Sequence, residues 1–143
     1  MKVHEILSQK KRENVTMSPT DSVLDALKLM ADLNIGSVII MEDGDYKGIV
    51  TERDYSRKVI LEGKSSTNTQ LAEIMSTDLP SLSPSDELDT AMQYMTENKN
   101  LRYIPVFHEG KMIGIISMSD VVSAKIERQK ETIGHLRDYI SAK

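Results

Sequence analysis

Two copies of one pattern make up most of this sequence, and this internal repeat constrains the fold more than any other feature. Residues 18–26 match residues 83–91 at an offset of 65, and residues 48–54 match residues 114–120 at an offset of 66. Extended repeat arrays generally use shorter units in three or more copies. Two copies at this longer period therefore predict a closed pair related by a pseudo-twofold axis.

Each copy predicts the same order of elements. A short strand near residues 15–17 or 81–82 precedes an amphipathic helix, a buried apolar strand, a tight turn and a returning strand. A second helix then begins near Asp54 or Asp120. The expected fold class is α+β, with two tandem β-α-β-β-α repeats packed as a pseudo-twofold module.

The repeat also sets the expected domain boundaries. Residues 3–8 resemble residues 71–76, so a similar lead-in precedes each copy. Glycine weakens a helix, and the charged C-terminal stretch is therefore expected to form two helical pieces with a break near Gly134. The expected domains are repeat 1 with its lead-in at residues 1–69, repeat 2 at residues 70–124 and a charged helical tail at residues 125–143.

The composition excludes several classes of function. The 143 residues include no cysteine, which removes thiolate metal sites, thiol nucleophiles and disulfides. The three histidines are scattered without an acidic cluster, and no nucleophile–base pair can be assembled, so we expect neither a metal site nor an enzyme. A net charge of −4 argues against nucleic-acid binding, and no apolar run approaches the ~20 residues that span a bilayer. A cytoplasmic location is expected.

The junction between the returning strand and the following helix carries the most chemical information. In residues 48–54 and 114–120, a glycine opens the motif, a hydroxyl ends the strand, and an aspartate follows three positions after the hydroxyl. One interpretation is plain helix capping. The other is a ligand site, because free N–H groups at a helix start suit a phosphate and a carboxylate suits the hydroxyls of a ribose. Retention of the motif in both copies favours a nucleoside phosphate.

Basic side chains near these junctions have two interpretations. The run at residues 10–12 could reach a phosphate or form a surface loop, and the loop is favoured. Arg57 and Lys58 could add positive charge beside Asp54, although a solvated helix face is favoured for them.

The duplicated junction, the lead-ins and the segment 104–106 (Ile-Pro-Val) together resemble the CBS domain family, named after cystathionine β-synthase. The resemblance covers about residues 3–124 and identifies a tandem CBS pair, also called a Bateman module. It implies two clefts between the copies that bind AMP, ATP, NAD or S-adenosylmethionine. It also implies a regulatory role in signal transduction, without catalysis and without a catalytic cofactor.

The resemblance assigns residues to two unequal clefts. In the primary cleft, Asp120 would hold the ribose, Ser117 and Ser119 would lie near ribose or phosphate, Ile115 would lie beside the base, and Arg102 would meet the phosphate. The opposite wall of this cleft would comprise Val15, Ile35, Gly36 and Ser37. The secondary cleft would comprise Ile49, Thr51, Arg53, Asp54, Pro80, Leu101 and Tyr103. Arg53 replaces the second hydroxyl there, which could favour more phosphate or could fill the site.

Two functions are consistent with these residues. The first is a regulatory sensor that binds an adenine nucleotide between the repeats and passes the signal to a protein partner or a second subunit. A homodimer through the second helices of the repeats is expected, with no membrane partner. The alternative is a protein-interaction or assembly module with vestigial clefts, which uses the C-terminal stretch from residue 121 as its contact.

Overall fold

A computed structural model describes residues 1–10 and 13–141, and they form two compact units. One unit is Glu13–Leu79, and the other contains the described residues of Met1–Arg12 and Pro80–Lys143. In chain order the elements are α1 (Val3–Gln9), β1 (Thr16–Met17), α2 (Val23–Leu33), β2 (Ser37–Glu42), β3 (Asp45–Thr51), α3 (Glu52–Tyr55), a π-helical turn (Ser56–Ile60), a 3₁₀ turn (Leu71–Glu73), α4 (Leu88–Glu97), β4 (Tyr103–His108), β5 (Lys111–Ser117) and α5 (Met118–Ser141).

The expected α+β class is confirmed, and both repeats contain a helix, an antiparallel hairpin and a second helix in that order. In the unit Glu13–Leu79, β1 pairs parallel to β2, and β2 pairs antiparallel to β3. In the other unit, β4 and β5 form the equivalent antiparallel pair. Both hairpins turn at two residues with positive φ, Asp43 with Gly44 and Glu109 with Gly110. This geometry matches a type I′ turn, whose twist suits a two-residue hairpin.

The second repeat lacks the short first strand that the sequence predicts at residues 81–82. In the first repeat, the Ile39 N–H donates to the Val15 carbonyl at 2.9 Å. Pro105 is the counterpart of Ile39 and has no N–H to donate, so this part of the ladder cannot form. Leu82 instead makes a single bridge. Its N–H donates to the Pro105 carbonyl at 2.9 Å, and its carbonyl accepts from the Phe107 N–H at 2.8 Å.

The first repeat has an apolar core in which one face of α2 packs with β2 and β3. In the first repeat, Val23, Ala26 and Met30 of α2 are buried with residues of β2 and β3. The recurrence of these side chains at helical spacing is the pattern from which the helix was predicted. The residues buried in this core are Val23, Ala26, Met30, Val38, Ile40, Val50, Val59, Leu71 and Ile74.

Each lead-in packs on the repeat that it does not directly precede in the chain. At the start of α1, the Val3 N–H donates to the Asp86 carbonyl at 2.8 Å, and the Leu88 N–H donates to the Met1 carbonyl at 2.9 Å. The second lead-in instead pairs with β3 of repeat 1 through two hydrogen bonds between Ile49 and Ser76, at 2.9 and 3.1 Å. The compact units therefore group the lead-ins differently from the division expected at residues 69 and 70.

The C-terminal helix is continuous, so the expected break at Gly134 is wrong. α5 runs from Met118 to Ser141, and the tail predicted at 125–143 continues the second helix of repeat 2 as far as the structure describes it. A single interior glycine costs only about 1 kcal/mol, which neighbouring helix-forming residues can offset. Val121 and Ala124 are buried, and the large apolar side chains beyond them are exposed.

The two glycines that open the junction motifs permit different close approaches. A Cβ on Gly48 would lie 2.7 Å from the Ser76 carbonyl oxygen, which is held in the backbone pairing with Ile49. A Cβ on Gly114 would lie 2.8 Å from Leu7 Cδ2, the end of a flexible side chain. The same substitution therefore meets a fixed obstacle in one repeat and a movable one in the other.

We predict that Gly48→Ala destabilises the protein by about 2–3 kcal/mol, whereas Gly114→Ala costs about 1 kcal/mol or less. Backbone must shift in the first variant, and a Leu7 rotamer can change in the second. Urea unfolding followed by circular dichroism would measure both free energies. Equal costs would contradict the difference in packing.

Candidate functional site

The first junction forms a closed set of contacts around Asp54. The Thr51 N–H and hydroxyl both donate to Asp54 Oδ2, at 2.9 and 3.1 Å, and the Asp54 N–H donates back to Thr51 Oγ1 at 3.1 Å. The other carboxylate oxygen, Oδ1, accepts from Lys58 Nζ at 3.0 Å and from the Ser76 hydroxyl at 3.3 Å. Both oxygens of this buried carboxylate are therefore occupied by groups of the protein.

The second junction has the same cap with a more open carboxylate. The Ser117 N–H donates to Asp120 Oδ2 at 2.8 Å, and the Asp120 N–H donates to Ser117 Oγ at 3.1 Å. Lys10 Nζ forms an ion pair with the same Oδ2 at 2.9 Å. Among the residues that the structure describes, none donates a hydrogen bond to Asp120 Oδ1. The Asp120 side chain is 20% exposed, compared with 10% for Asp54.

The capping interpretation is thus correct for both aspartates, but it uses the two carboxylates to different extents. In the Asp54 junction, the cap, the lysine and the lead-in serine together engage both oxygens. In the Asp120 junction, the cap and the lysine share one oxygen, and no residue in the described part of the chain donates to Oδ1, which can accept hydrogen bonds. Capping and ligand binding are therefore compatible at Asp120.

Two lysines that the sequence interpretation treated as surface residues contact these aspartates. Lys10 donates to the Ile115 carbonyl at 2.8 Å as well as to Asp120, and Lys58 donates to the Ile74 carbonyl at 2.8 Å as well as to Asp54. Both lysines make these contacts from partly exposed positions, with 29% of the Lys10 side chain and 42% of the Lys58 side chain exposed. The other two residues of the basic run at 10–12 lie outside the described residues.

The residues expected in the primary cleft come from both compact units. Ser117 and Asp120 are in direct contact, Ile115 joins them through Lys10, and the Arg102 carbonyl accepts from the Met118 N–H at 2.8 Å beside them. The Arg102 side chain is exposed, with Nη1 3.2 Å from Met118 Sδ, and Ser119 is exposed on the first turn of α5. The remaining expected residues lie in the unit of repeat 1, namely Val15, Ile35, Gly36 and Ser37.

The residues expected in the secondary cleft are divided in the same way. Ile49, Thr51, Arg53 and Asp54 lie together at the end of β3 and the start of α3, while Pro80, Leu101 and Tyr103 belong to the other unit. Arg53 Nη1 is buried without a hydrogen-bond partner among the described residues. A buried guanidinium nitrogen in this state is costly, and an anionic oxygen would satisfy it.

Sequence reasoning missed Lys10 and Ser76 as site residues. Both lie at or just after a lead-in. The basic run at residues 10–12 is one signal for Lys10, and the recurrence of the lead-in sequence in both copies is another. That signal indicates that the lead-ins have equivalent roles, but it does not indicate which junction each of them contacts.

Comparisons with known proteins agree on one family. The CBS domain profile matches residues 3–60 and 71–127. The chain is 39% identical over 125 residues to the mitochondrial CBS domain-containing protein CBSX3 of Arabidopsis thaliana. The aligned region covers 84% of this chain and 60% of that protein. It is 31% identical over 106 residues to the CBS domain-containing protein YhcV of Bacillus subtilis, which covers 74% of each. The chain therefore spans less than two thirds of the Arabidopsis protein.

Solved structures show the same fold. A CBS-domain protein of Burkholderia ambifaria, whose proposed role is signal transduction, has a TM-score of 0.84 at 42% identity, covering 90% of this chain and 96% of that one. The CBS-domain protein ATU1752 of Agrobacterium tumefaciens has a TM-score of 0.80 at 32% identity, covering 87% and 99%. The hexameric CBS-CP12 protein of bloom-forming cyanobacteria has a TM-score of 0.72 at 28% identity, covering 85% and 69%.

We predict that Asp54→Ala costs more stability than Asp120→Ala, at about 2–4 kcal/mol against about 1–2 kcal/mol. The first substitution leaves the Thr51, Ser76 and Lys58 groups without their acceptor, and the second removes one cap and one partly exposed ion pair. Chemical unfolding of the two variants would measure the difference. A larger cost for Asp120→Ala would contradict the proposed difference between the junctions.

Proposed function

The chain belongs to the CBS-domain family, and from that premise we propose that it is a non-catalytic regulatory module that binds an adenosine-containing ligand at the Asp120 junction. The ligand classes considered are AMP, ATP, NAD and S-adenosylmethionine. Asp120 would accept from the ribose hydroxyls, with Ser117 and Ser119 near the ribose or phosphate and Ile115 beside the base. Arg102 would contact the phosphate.

One observation carries this proposal: Asp120 Oδ1 receives no hydrogen bond from the described part of the chain, although the carboxylate is held in a fixed orientation. A vicinal diol supplies two hydroxyl donors, which are the groups that a free carboxylate oxygen accepts. Because Oδ2 is already fixed by Ser117 and Lys10, a ligand would not have to pay the entropy of ordering this side chain.

The Asp54 junction is proposed as the weaker or different site. Its carboxylate is satisfied within the protein, so a ribose would have to displace Lys58 or Ser76. The Arg53 nitrogen, which none of the residues at 1–10 and 13–141 partners, instead favours an anionic group there. We therefore propose that nucleotide occupies the Asp120 junction first.

The output of such a module passes to another molecule. We propose a homodimer in the cytoplasm, with a protein target that responds to the bound nucleotide. The oligomeric state of the hexameric CBS-CP12 relative supports assembly as a property available to similar chains. In the described residues, no helix combines the length and the apolar character that a membrane span requires.

We predict that at least one of AMP, ATP, NAD and S-adenosylmethionine raises the melting temperature of the wild-type protein. A ligand at 100 times its Kd stabilises a folded protein by about 2.7 kcal/mol, which a thermal-shift assay detects. Asp120→Ala should weaken binding at least tenfold by calorimetry, because it removes charge-assisted hydrogen bonds, while Asp54→Ala should weaken it less. Absence of a shift with all four ligands would refute nucleotide sensing.

A specific observation also favours the alternative function in assembly. Five apolar side chains on α5, here called the α5 seam, are 48% to 69% exposed: Val122, Ile126, Ile133, Leu136 and Ile140. With Gln129 between them, they follow an alternating spacing of four and three residues, which is the heptad pattern of a two-stranded coiled coil. We propose that the α5 seam of a second copy covers this face.

We predict that Leu136→Glu shifts the protein from dimer to monomer at tens of micromolar in light scattering, because a charge in the seam cannot be buried without a partner. His135→Glu is the matched control, since it adds the same group to the adjacent exposed position outside the seam. A monomeric wild-type protein, or equal effects of the two substitutions, would exclude this interface. Nucleotide binding by a monomeric variant would show that sensing and assembly are separable.

A further inference from the structure

The α5 seam has a regular composition when its positions are assigned to heptads. The a positions are all isoleucine, at residues 126, 133 and 140, and the d positions are Val122, Gln129 and Leu136. Isoleucine at a, combined with leucine at d, favours a two-stranded parallel coiled coil. The composition of the seam therefore fits one further copy of the same helix.

Contacts within its own unit fix the direction in which the start of α5 faces. Val121 and Ala124 are buried, and Arg128 Nη1 pairs with Asp89 Oδ1 of α4 at 3.6 Å. None of these residues occupies an a or d position, and the five apolar residues of the seam are exposed. The helix is therefore held to its unit by other faces and presents the seam to solvent.

Gln129 distinguishes between the two directions in which two α5 helices can pair. In a parallel pair in register, the Gln129 amides of the two copies meet, and each can donate an N–H to the carbonyl oxygen of the other. In an antiparallel pair, a d position faces an a position, which in this seam is always isoleucine. Such pairing would bury the amide against an apolar side chain, which is costly. A single polar residue in the core of a coiled coil specifies register in this way.

The positions that flank the seam, e and g, include three basic residues and no acidic one. They are Ser123, Lys125, Lys130, Thr132, Arg137 and Tyr139. In a parallel pair, each g position faces the e position five residues later in the other helix, so Lys125 faces Lys130 on both sides of the seam. In the antiparallel register that pairs all six seam positions, Lys130 instead faces Lys130, and Lys125 faces Tyr139. Reversal of one charge therefore has a different effect in each arrangement.

We propose that the α5 helices of two copies pair in parallel and in register, with the Gln129 amides hydrogen-bonded to each other. This inference rests on the proposed pairing of the α5 seam with a second copy. The repulsion between Lys125 and Lys130 limits the strength of the dimer. Because the seam begins two residues after Asp120, the parallel arrangement brings the Asp120 junctions of both copies to the same end of the coiled coil.

The first experiment measures the dissociation constant of the dimer by analytical ultracentrifugation on the full chain. In the parallel pair, Lys130→Glu creates an ion pair with Lys125 on both sides, so we expect the dimer to become about fivefold tighter. Lys125→Glu should have the same effect, and the double variant should return close to the wild-type value because two glutamates then face each other. Arg137→Glu is the matched control: it makes the same charge change opposite Thr132, so its effect should be at most about twofold.

The second experiment uses engineered cysteines, since the sequence contains none. Chains with Val122→Cys and chains with Ile140→Cys are mixed and oxidised, and the disulfides are identified by mass spectrometry. Parallel pairing should join each residue only to its own counterpart. In the antiparallel register, the two copies of residue 122 lie about 27 Å apart, so the disulfides would join residue 122 to residue 140. His135→Cys, outside the seam, is the control that should remain unlinked.

Circular dichroism would establish that each variant is folded under the conditions of the measurement. Disulfides between residues 122 and 140, equal cross-linking of His135→Cys, or a dimer that is not tightened by Lys130→Glu would overturn parallel pairing. If Leu136→Glu still produces a monomer in that case, the seam remains the interface and only its direction is wrong. If the wild-type protein is a monomer, or if Leu136→Glu remains a dimer, the proposed interface fails together with this inference.

Discussion

The approach of each lead-in to a glycine on a returning strand is the constraint from which the candidate site follows. At Gly48 the backbone of residue 76 comes so close that no side chain fits, and at Gly114 the side chain of Leu7 occupies the equivalent space. These contacts bring Ser76 to Asp54 and Lys10 to Asp120. The chemistry of the two aspartates therefore depends on segments far from them in the sequence.

Much of the fold could be predicted because its signals are local. The positive φ values of Asp43 and Gly44 are those that a two-residue hairpin needs, and the same dipeptide type recurs at Glu109 and Gly110. The loss of the short strand in repeat 2 also has a local cause in Pro105, but its effect falls on residues 81–82. α5 continues through residue 134, against the predicted break, because one interior glycine costs only about 1 kcal/mol of helix stability.

The candidate site could be predicted only in part. The strand-to-helix motif correctly located the contact between Ser117 and Asp120, since its three-residue spacing is a local property. The ion pair between Lys10 and Asp120 joins residues 110 positions apart, and no periodicity or composition encodes such a pairing. Capping and binding were treated as competing interpretations, but a carboxylate has two oxygens, and Asp120 uses only one of them for the cap and the lysine.

The crossed packing of the lead-ins affects how the chain can be divided. The unit of repeat 1 is one continuous segment, Glu13–Leu79, whereas the unit of repeat 2 joins the N-terminal segment to Pro80–Lys143. A cut between the copies at residue 70 would give two fragments. Each fragment would carry the lead-in that packs on the other fragment. Expression of repeat 2 as an isolated domain would therefore require Met1–Gln9 to be grafted onto it, for example as a circular permutant.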